Sequence, residues 1–202
     1  FRSDGEIVAI VEERDATEEL KGINEINTGV YLFDIATLKE SVKKLKNNNS
    51  QGELYLTDVI AEIKNAGGKT AAILSFDYTE TLGINDRAQL AESAAIMRDR
   101  INDHHMRNGV SILDPQNTWI DSTVEIAPDV TILPGSALHG RTVIASGSTI
   151  GPRSTLLNVT VGAGASVIES RVTDSTIGAD ATVGPFTFIR PGTSLAAKSK
   201  AG

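Results

Sequence analysis

The 202-residue chain has no cysteine, so neither a disulfide framework nor a thiolate metal site is open to it. That absence fits a reducing compartment, and a cytoplasmic location is the expectation. Histidine is scarce at three residues, and aromatic side chains make up only 4% of the sequence. No apolar run approaches the ~20 residues that a membrane-spanning helix needs. Nor is there a basic excess: a net charge of −7 leaves nothing to displace counterions from a nucleic acid or to hold an anionic membrane. The lysines at Lys39, Lys43, Lys44 and Lys46 read as a solvated helix face. No Gly-rich phosphate loop, zinc spacing or nucleophile elbow occurs. What is left, 40% hydrophobic and 22% charged residues, is an ordinary globular composition for one or two domains.

What the second half does contain is a beat of six. Ile120, Ile126, Ile132, Leu138, Ile144, Ile150 and Leu156 keep it without a miss, and a small or β-branched residue stands two places before each, from Thr118 to Ser154. The register slips after Leu156 and resumes at Ile177, Val183, Ile189 and Leu195. A helix would need apolar spacings of three and four, and a half-buried strand a spacing of two. A fixed six-residue repeat predicts a left-handed parallel β-helix, in which about 18 residues make one triangular coil and each aliphatic stacks on its counterpart one coil later. Gly135, Gly147, Gly151, Gly178, Gly184 and Gly192 fall near the corners, where positive φ is often required.

The first half alternates strand and helix signals. Residues 7–11, 30–33 and 70–76 read as short buried strands. Asp34 can cap a helix carrying Leu38, Val42 and Leu45, and Thr57 or Asp58 a second one carrying Val59, Ile60 and Ile63, stopped by Gly67-Gly68. The alternation implies an α/β sheet, part of a Rossmann-like domain over residues 1–87. Residues 88–108 form a linker helix with a stripe of Leu90, Ala94, Met97, Ile101 and His105, capped by Asn85 or Asp86. The β-helix occupies 109–202.

On residues alone the chemistry is thin. His104 and His105 on the linker helix and His139 at a β-helix turn read as surface residues. Glu12, Asn27 and Asn85 stand at strand ends, where ligands gather in open α/β sheets. Each has a plain alternative: a solvated carboxylate, a turn former, a helix cap.

The longer motifs say more. Ile10-Val11-Glu12, Asp15-Ala16-Thr17, Glu25-Ile26-Asn27-Thr28-Gly29 and the run from Asn47 to Asp58 resemble the sugar-binding half of the sugar-1-phosphate nucleotidyltransferases. Gly83-Ile84-Asn85-Asp86-Arg87 closes that part in the same style. With a linker helix and hexapeptide repeats containing the stretch from Gly184 to Gly192, the order is similar to that of the bacterial bifunctional uridyltransferase/acetyltransferases.

The resemblance implies two reactions in the whole enzyme. One moves an acetyl group from acetyl-CoA to glucosamine-1-phosphate; the other joins N-acetylglucosamine-1-phosphate to UTP, giving UDP-N-acetylglucosamine. It implies that Glu12 and Asn27 hydrogen-bond the sugar, that Asn85 binds Mg²⁺, and that Arg190 binds the substrate's phosphate. Asp86 stands where such enzymes often show a second asparagine, so a neighbouring carboxylate is in place to share the metal. A homotrimer built through the β-helix is also implied. Neither nucleotide loop nor later coils are present, so the sequence reads as a central fragment, with no catalytic residue of its own and no turnover by these 202 residues alone. The rivals are another sugar-1-phosphate nucleotidyltransferase with a β-helical tail, and a trimerising module without catalysis.

Overall fold

The computed structural model describes residues 2–3 and 6–202; Phe1, Asp4 and Gly5 lie outside the described residues. The chain forms two compact units, Phe1–Gly83 and Ile84–Gly202.

In the second unit the beat of six becomes three stacked columns of a parallel β-helix. On the first face Ile120 pairs in register with Leu138, Leu138 with Leu156, Leu156 with Val172, and Val172 with Ile189. On the second, Ile126, Ile144, Val161, Ile177 and Leu195 follow one another. The third runs Ile112, Ile132, Ile150, Val167, Val183 and Ala201. All of these pairings are parallel. Ile132, Leu138, Ile150 and Leu156 are fully enclosed, and each such burial contributes roughly 1.5–3 kcal/mol.

The residue two places earlier also points inward. Thr118, Val124, Val130, Ser136, Thr142, Ser148 and Ser154 are all buried. The hydroxyls among them bond backbone carbonyls: Ser136 donates to Leu133 O at 2.7 Å, Thr142 to His139 O at 2.8 Å, and Ser148 to Gly162 O at 2.9 Å.

The apparent slip after Leu156 is not a break. Three faces lose one residue each, so the step is five from Leu156 to Val161, from Val167 to Val172 and from Val172 to Ile177. Each shortened face contains a non-glycine residue in the left-handed region: Asn158 at φ 54°, Glu169 at 44° and Asp174 at 43°. Five of the six corner glycines have φ between 73° and 101°. Gly178 does not, and corrects the expectation for it. Its need is for space, since a Cβ there would lie 2.5 Å from the backbone nitrogen of Ala197 in the next coil.

The linker helix spans Arg87–Arg107, with Asp86 Oδ1 accepting the Gln89 N–H at 2.8 Å as its cap. The predicted stripe holds only toward its carboxyl end. Ile101 packs on the solenoid core and His105 is buried, whereas Leu90 and Met97 stay about half exposed. Asn102 joins helix to solenoid. It is fully buried, and its amide donates to Pro115 O at 2.9 Å and Thr118 O at 3.0 Å. Arg98 lies 5.2 Å over the Trp119 ring and donates to Gln116 O at 2.8 Å. No described helix is long and apolar enough to cross a membrane.

The first unit departs from the α/β expectation. Both helices form, with differences at their ends: Asp34 caps Ile35–Val42 by accepting the Thr37 N–H at 2.8 Å, which leaves Leu45 beyond the helix, and Asp58–Asn65 buries Val59 and Ile63 before stopping at Gly67 but gets no side-chain cap from Thr57. The sheet does not. The described ladder here is Arg2–Ser3 against Glu6–Ile7, antiparallel. Residues 8–11, 30–33 and 70–76 are in no described strand, and Leu32, Ile73 and Phe76 are fully exposed. A strand needs a neighbour's N–H and C=O groups, and an apolar run without one has the composition of a strand but no ladder. The Rossmann-like part is therefore corrected to helices with unpaired extended segments.

Candidate functional site

In the first unit two of the resembling motifs meet at Asp15. Its carboxylate accepts the Ser50 N–H at 2.8 Å and the Tyr55 hydroxyl at 3.2 Å. Gln51 ties the same cluster, donating to Tyr55 Oη at 2.7 Å and accepting from Arg14 at 2.9 Å. The Ser50 donor holds the Asp15 carboxyl below its ordinary pKa, while burial, then the charges of Asp15 and Glu62, push Asp58 up. So the Asn-rich run from Asn47 is anchored on the turn that Glu12 introduces. Asp15 is a residue that motif reading quoted without assigning it a role.

Glu12 is half-buried and leads into a short 3-10 turn at Glu13–Asp15, with the Asp15 N–H donating to its carbonyl at 2.9 Å. Asn27 is exposed in a self-closed turn: Oδ1 accepts the Gly29 N–H at 3.2 Å, and the amide donates to Tyr31 Oη at 2.6 Å. Among the described residues no hydrogen bond joins Glu12 to Asn27.

Asn85 belongs to the second unit by its contacts. Its backbone N–H donates to Gln89 Oε1 at 2.6 Å, and its side-chain amide has no hydrogen-bond partner among the described residues. Asp86 is committed to capping the helix. No described cluster of three or more His, Cys, Asp or Glu side chains could hold a metal ion. That donor set still suits Mg²⁺, which typically takes one or two protein oxygens and completes its shell with phosphates and water.

Arg190 ends the Phe188–Ile189 strand of the first face, with Ile189 inward and the arginine exposed. Around it runs a ladder of side chains along one corner. Asn158 Oδ1 accepts the Arg141 N–H and its amide donates to Asp174 Oδ1, both at 2.9 Å; the Gly192 N–H then donates to Asp174 O at 2.8 Å.

His105 differs from the surface reading, whereas His139 keeps to the surface but has an acid partner there. His105 is buried against the first coil, and burial, helped by the neighbouring His104 charge, lowers its pKa. His139 Nδ1 stands 3.1 Å from Asp121 Oδ1, a partner 18 residues away and one coil below. Burial pushes Asp121 up, but the Gly140 N–H at 2.9 Å and His139 outweigh it, so its carboxyl titrates below the ordinary range. A depressed carboxyl stabilises the fold above its unfolded pKa of about 3.9 and loses that contribution as pH falls through its folded value. We expect Asp121→Asn to narrow the stability gap between pH 7 and pH 3 in urea titrations; an unchanged gap would remove Asp121 from the acid response.

No family model matches the chain. It is 49% identical over 200 residues to the bifunctional protein GlmU of Corynebacterium efficiens, covering 99% of this chain and 41% of that protein. With GlmU of Rhodococcus jostii it shares 50% over 199 residues, 98% of this chain and 40% of the relative. The chain thus spans about two fifths of the length of the curated relatives it matches, and the resemblance read from the motifs is borne out along nearly all of it. Among solved structures, perosamine N-acetyltransferase from Caulobacter crescentus, determined with CoA and GDP-perosamine, has 20% identity and a TM-score of 0.29 over 51% of this chain and 61% of its own. That likeness is too slight to bear on fold or function.

Proposed function

We propose that this chain, a GlmU-type sequence throughout, serves the synthesis of UDP-N-acetylglucosamine as part of a bifunctional transferase. The single observation carrying the reading is identity of 49% across 99% of the chain, running through motifs and β-helix alike. Residues 1–87 then belong to the uridyltransferase, 88–108 to the linker, and 109–202 to the acetyltransferase prism. A left-handed coil, a homotrimer formed through it, and a cytoplasmic location belong to the same proposal.

Two steps follow. The amine nitrogen of glucosamine-1-phosphate attacks the thioester carbonyl of acetyl-CoA, an amide forms, and the CoA thiolate leaves with the amine's proton going to a base. A phosphate oxygen of N-acetylglucosamine-1-phosphate then attacks the α-phosphorus of UTP in line, and pyrophosphate leaves. Mg²⁺, when bound, neutralises the charge that builds on the phosphates during that displacement.

This chain's residues take binding roles. The Glu12 carboxylate accepts hydrogen bonds from the sugar, and the Asn27 amide offers both a donor and an acceptor. Asn85 would hold the metal through its amide oxygen. Arg190 presents an exposed guanidinium, whose planar fork suits a phosphate.

The test is Asn85→Ala in the enzyme carrying this sequence. Mg²⁺-dependent uridylyl transfer should fall by more than the roughly 10–100-fold that loss of an outer-shell partner costs. Acetyl transfer should be spared. Loss of both activities, or of neither, overturns the metal assignment.

A further inference from the structure

Arg190 is held by its backbone. Its carbonyl oxygen accepts the Ser175 hydroxyl at 2.8 Å and the Thr193 hydroxyl at 2.7 Å. The Thr193 N–H reaches the same oxygen at 3.3 Å. Gly162 O, at another corner, likewise takes a hydroxyl from the coil below, Ser148, and the N–H three residues on; the Thr193 hydroxyl is the addition at Arg190.

The two hydroxyls come from different coils. Ser175 is a buried inward residue one coil below, in register with Thr193 through the adjacent Thr176–Ser194 pairing. Its oxygen also lies 2.7 Å from Thr173 O, so its one proton is shared between the carbonyl of its own coil and that of Arg190. Thr193 closes the turn from the other side, after Gly192 at φ 80°. Beneath this turn the Asn158–Asp174 bond fixes the corner to the coil below it. An exposed, long side chain therefore springs from a backbone carbonyl held by hydroxyls of two successive coils.

We infer that Ser175, with Thr193, is a positioning residue for Arg190, fixing the base of the guanidinium so that it meets the phosphate of the sugar substrate already oriented. The inference rests on the proposed role of Arg190. Stability alone does not call for it: the inward positions equivalent to Ser175 along the same face, Val124, Thr142 and Val159, include two valines that hold the coil without any hydroxyl.

The experiment is acetyl-transfer kinetics in the enzyme carrying this sequence. Ser175→Ala should raise KM for glucosamine-1-phosphate about fivefold, the usual scale for one hydrogen bond, with kcat and the KM for acetyl-CoA unchanged. Ser175→Thr should restore it. If Ser175→Ala does not fold, Thr193→Val removes the second donor at a half-exposed site and should produce the same split. In an Arg190→Ala background, either change should add nothing. An unchanged KM, equal losses for both substrates, or a full additional effect without Arg190 each overturns the inference. Failure of the underlying reading looks different: Arg190→Ala itself would then leave the KM for the sugar phosphate where it was.

Discussion

Ile132→Asp is expected to unfold the solenoid at neutral pH. Ile132 is fully enclosed in the third column, paired in register with Ile112 below and Ile150 above. Removing the side chain alone forfeits roughly 2–5 kcal/mol of transfer and cavity energy. The carboxylate that replaces it meets an aliphatic stack with no cation in reach, and its desolvation costs several kcal/mol more. A domain's whole stability is about 5–15 kcal/mol, so the two losses together reach its scale. Neighbouring Thr131 is the built-in control, because it points out of the same strand and is half exposed. Circular dichroism should show Ile132→Asp without a cooperative melt and Thr131→Asp within a few degrees of the parent. A near-parental melting temperature for Ile132→Asp would refute the stacked-column account.

How far the sequence reveals this molecule depends on whether a segment's partners lie within it. In the β-helix each residue's neighbour is its own repeat, about 18 positions on, so a period counted by eye gives Ile120, Leu138 and Leu156 their places. Even the inward serines and threonines were legible, because steric room at a corner selects for them. The shortened faces were not. Dropping one residue at Asn158, Glu169 or Asp174 costs the period but not the stack, and only the positive φ of those residues shows why.

In the first unit the logic inverts. Residues 30–33 and 70–76 have the composition of buried strands, yet strand formation is a property of pairs, and no described residue supplies the other half. The helices at Ile35–Val42 and Asp58–Asn65 need no such partner for their own hydrogen bonds, so both form, the first behind its Asp34 cap and the second without a side-chain cap. Site reading divides the same way. Asn27 and Asn85 sit in turns that local sequence can specify, whereas the Asp121–His139 and Ser175–Arg190 contacts bridge coils. Their signal exists only once the 18-residue register is imposed: Asp121 and His139 are that distance apart, as one coil demands.

Asn102→Ala should loosen the linker helix from the first coil, at a cost of about 2–4 kcal/mol. Nothing in the apolar stripe points to this residue, since it is an asparagine beside Ile101 on a helix whose exposed face is rich in charge. Its amide nitrogen spends both hydrogens on the carbonyls of Pro115 and Thr118. Truncation leaves those two acceptors facing a small void, and each buried unsatisfied group costs about 1–3 kcal/mol. Arg98→Ala is the comparison. It removes the stack on Trp119, worth about 0.5–1 kcal/mol, one carbonyl contact and an ion pair with the exposed Asp99 that adds little at the surface, and so should cost less. Asn102→Asp separates shape from donation, because it keeps the volume and replaces both donor hydrogens with a charged acceptor pointed at two carbonyls. Burial raises the pKa of such a carboxyl in the folded state, so its penalty is largest above that value. The penalty recedes as pH falls and a proton supplies one hydrogen bond. Denaturant midpoints at pH 7 should therefore rank the parent first, then Arg98→Ala, Asn102→Ala and Asn102→Asp, with the last recovering most toward pH 4. An Asn102→Ala midpoint within about 0.5 kcal/mol of the parent would mean that the helix is held by Ile101 and His105 alone.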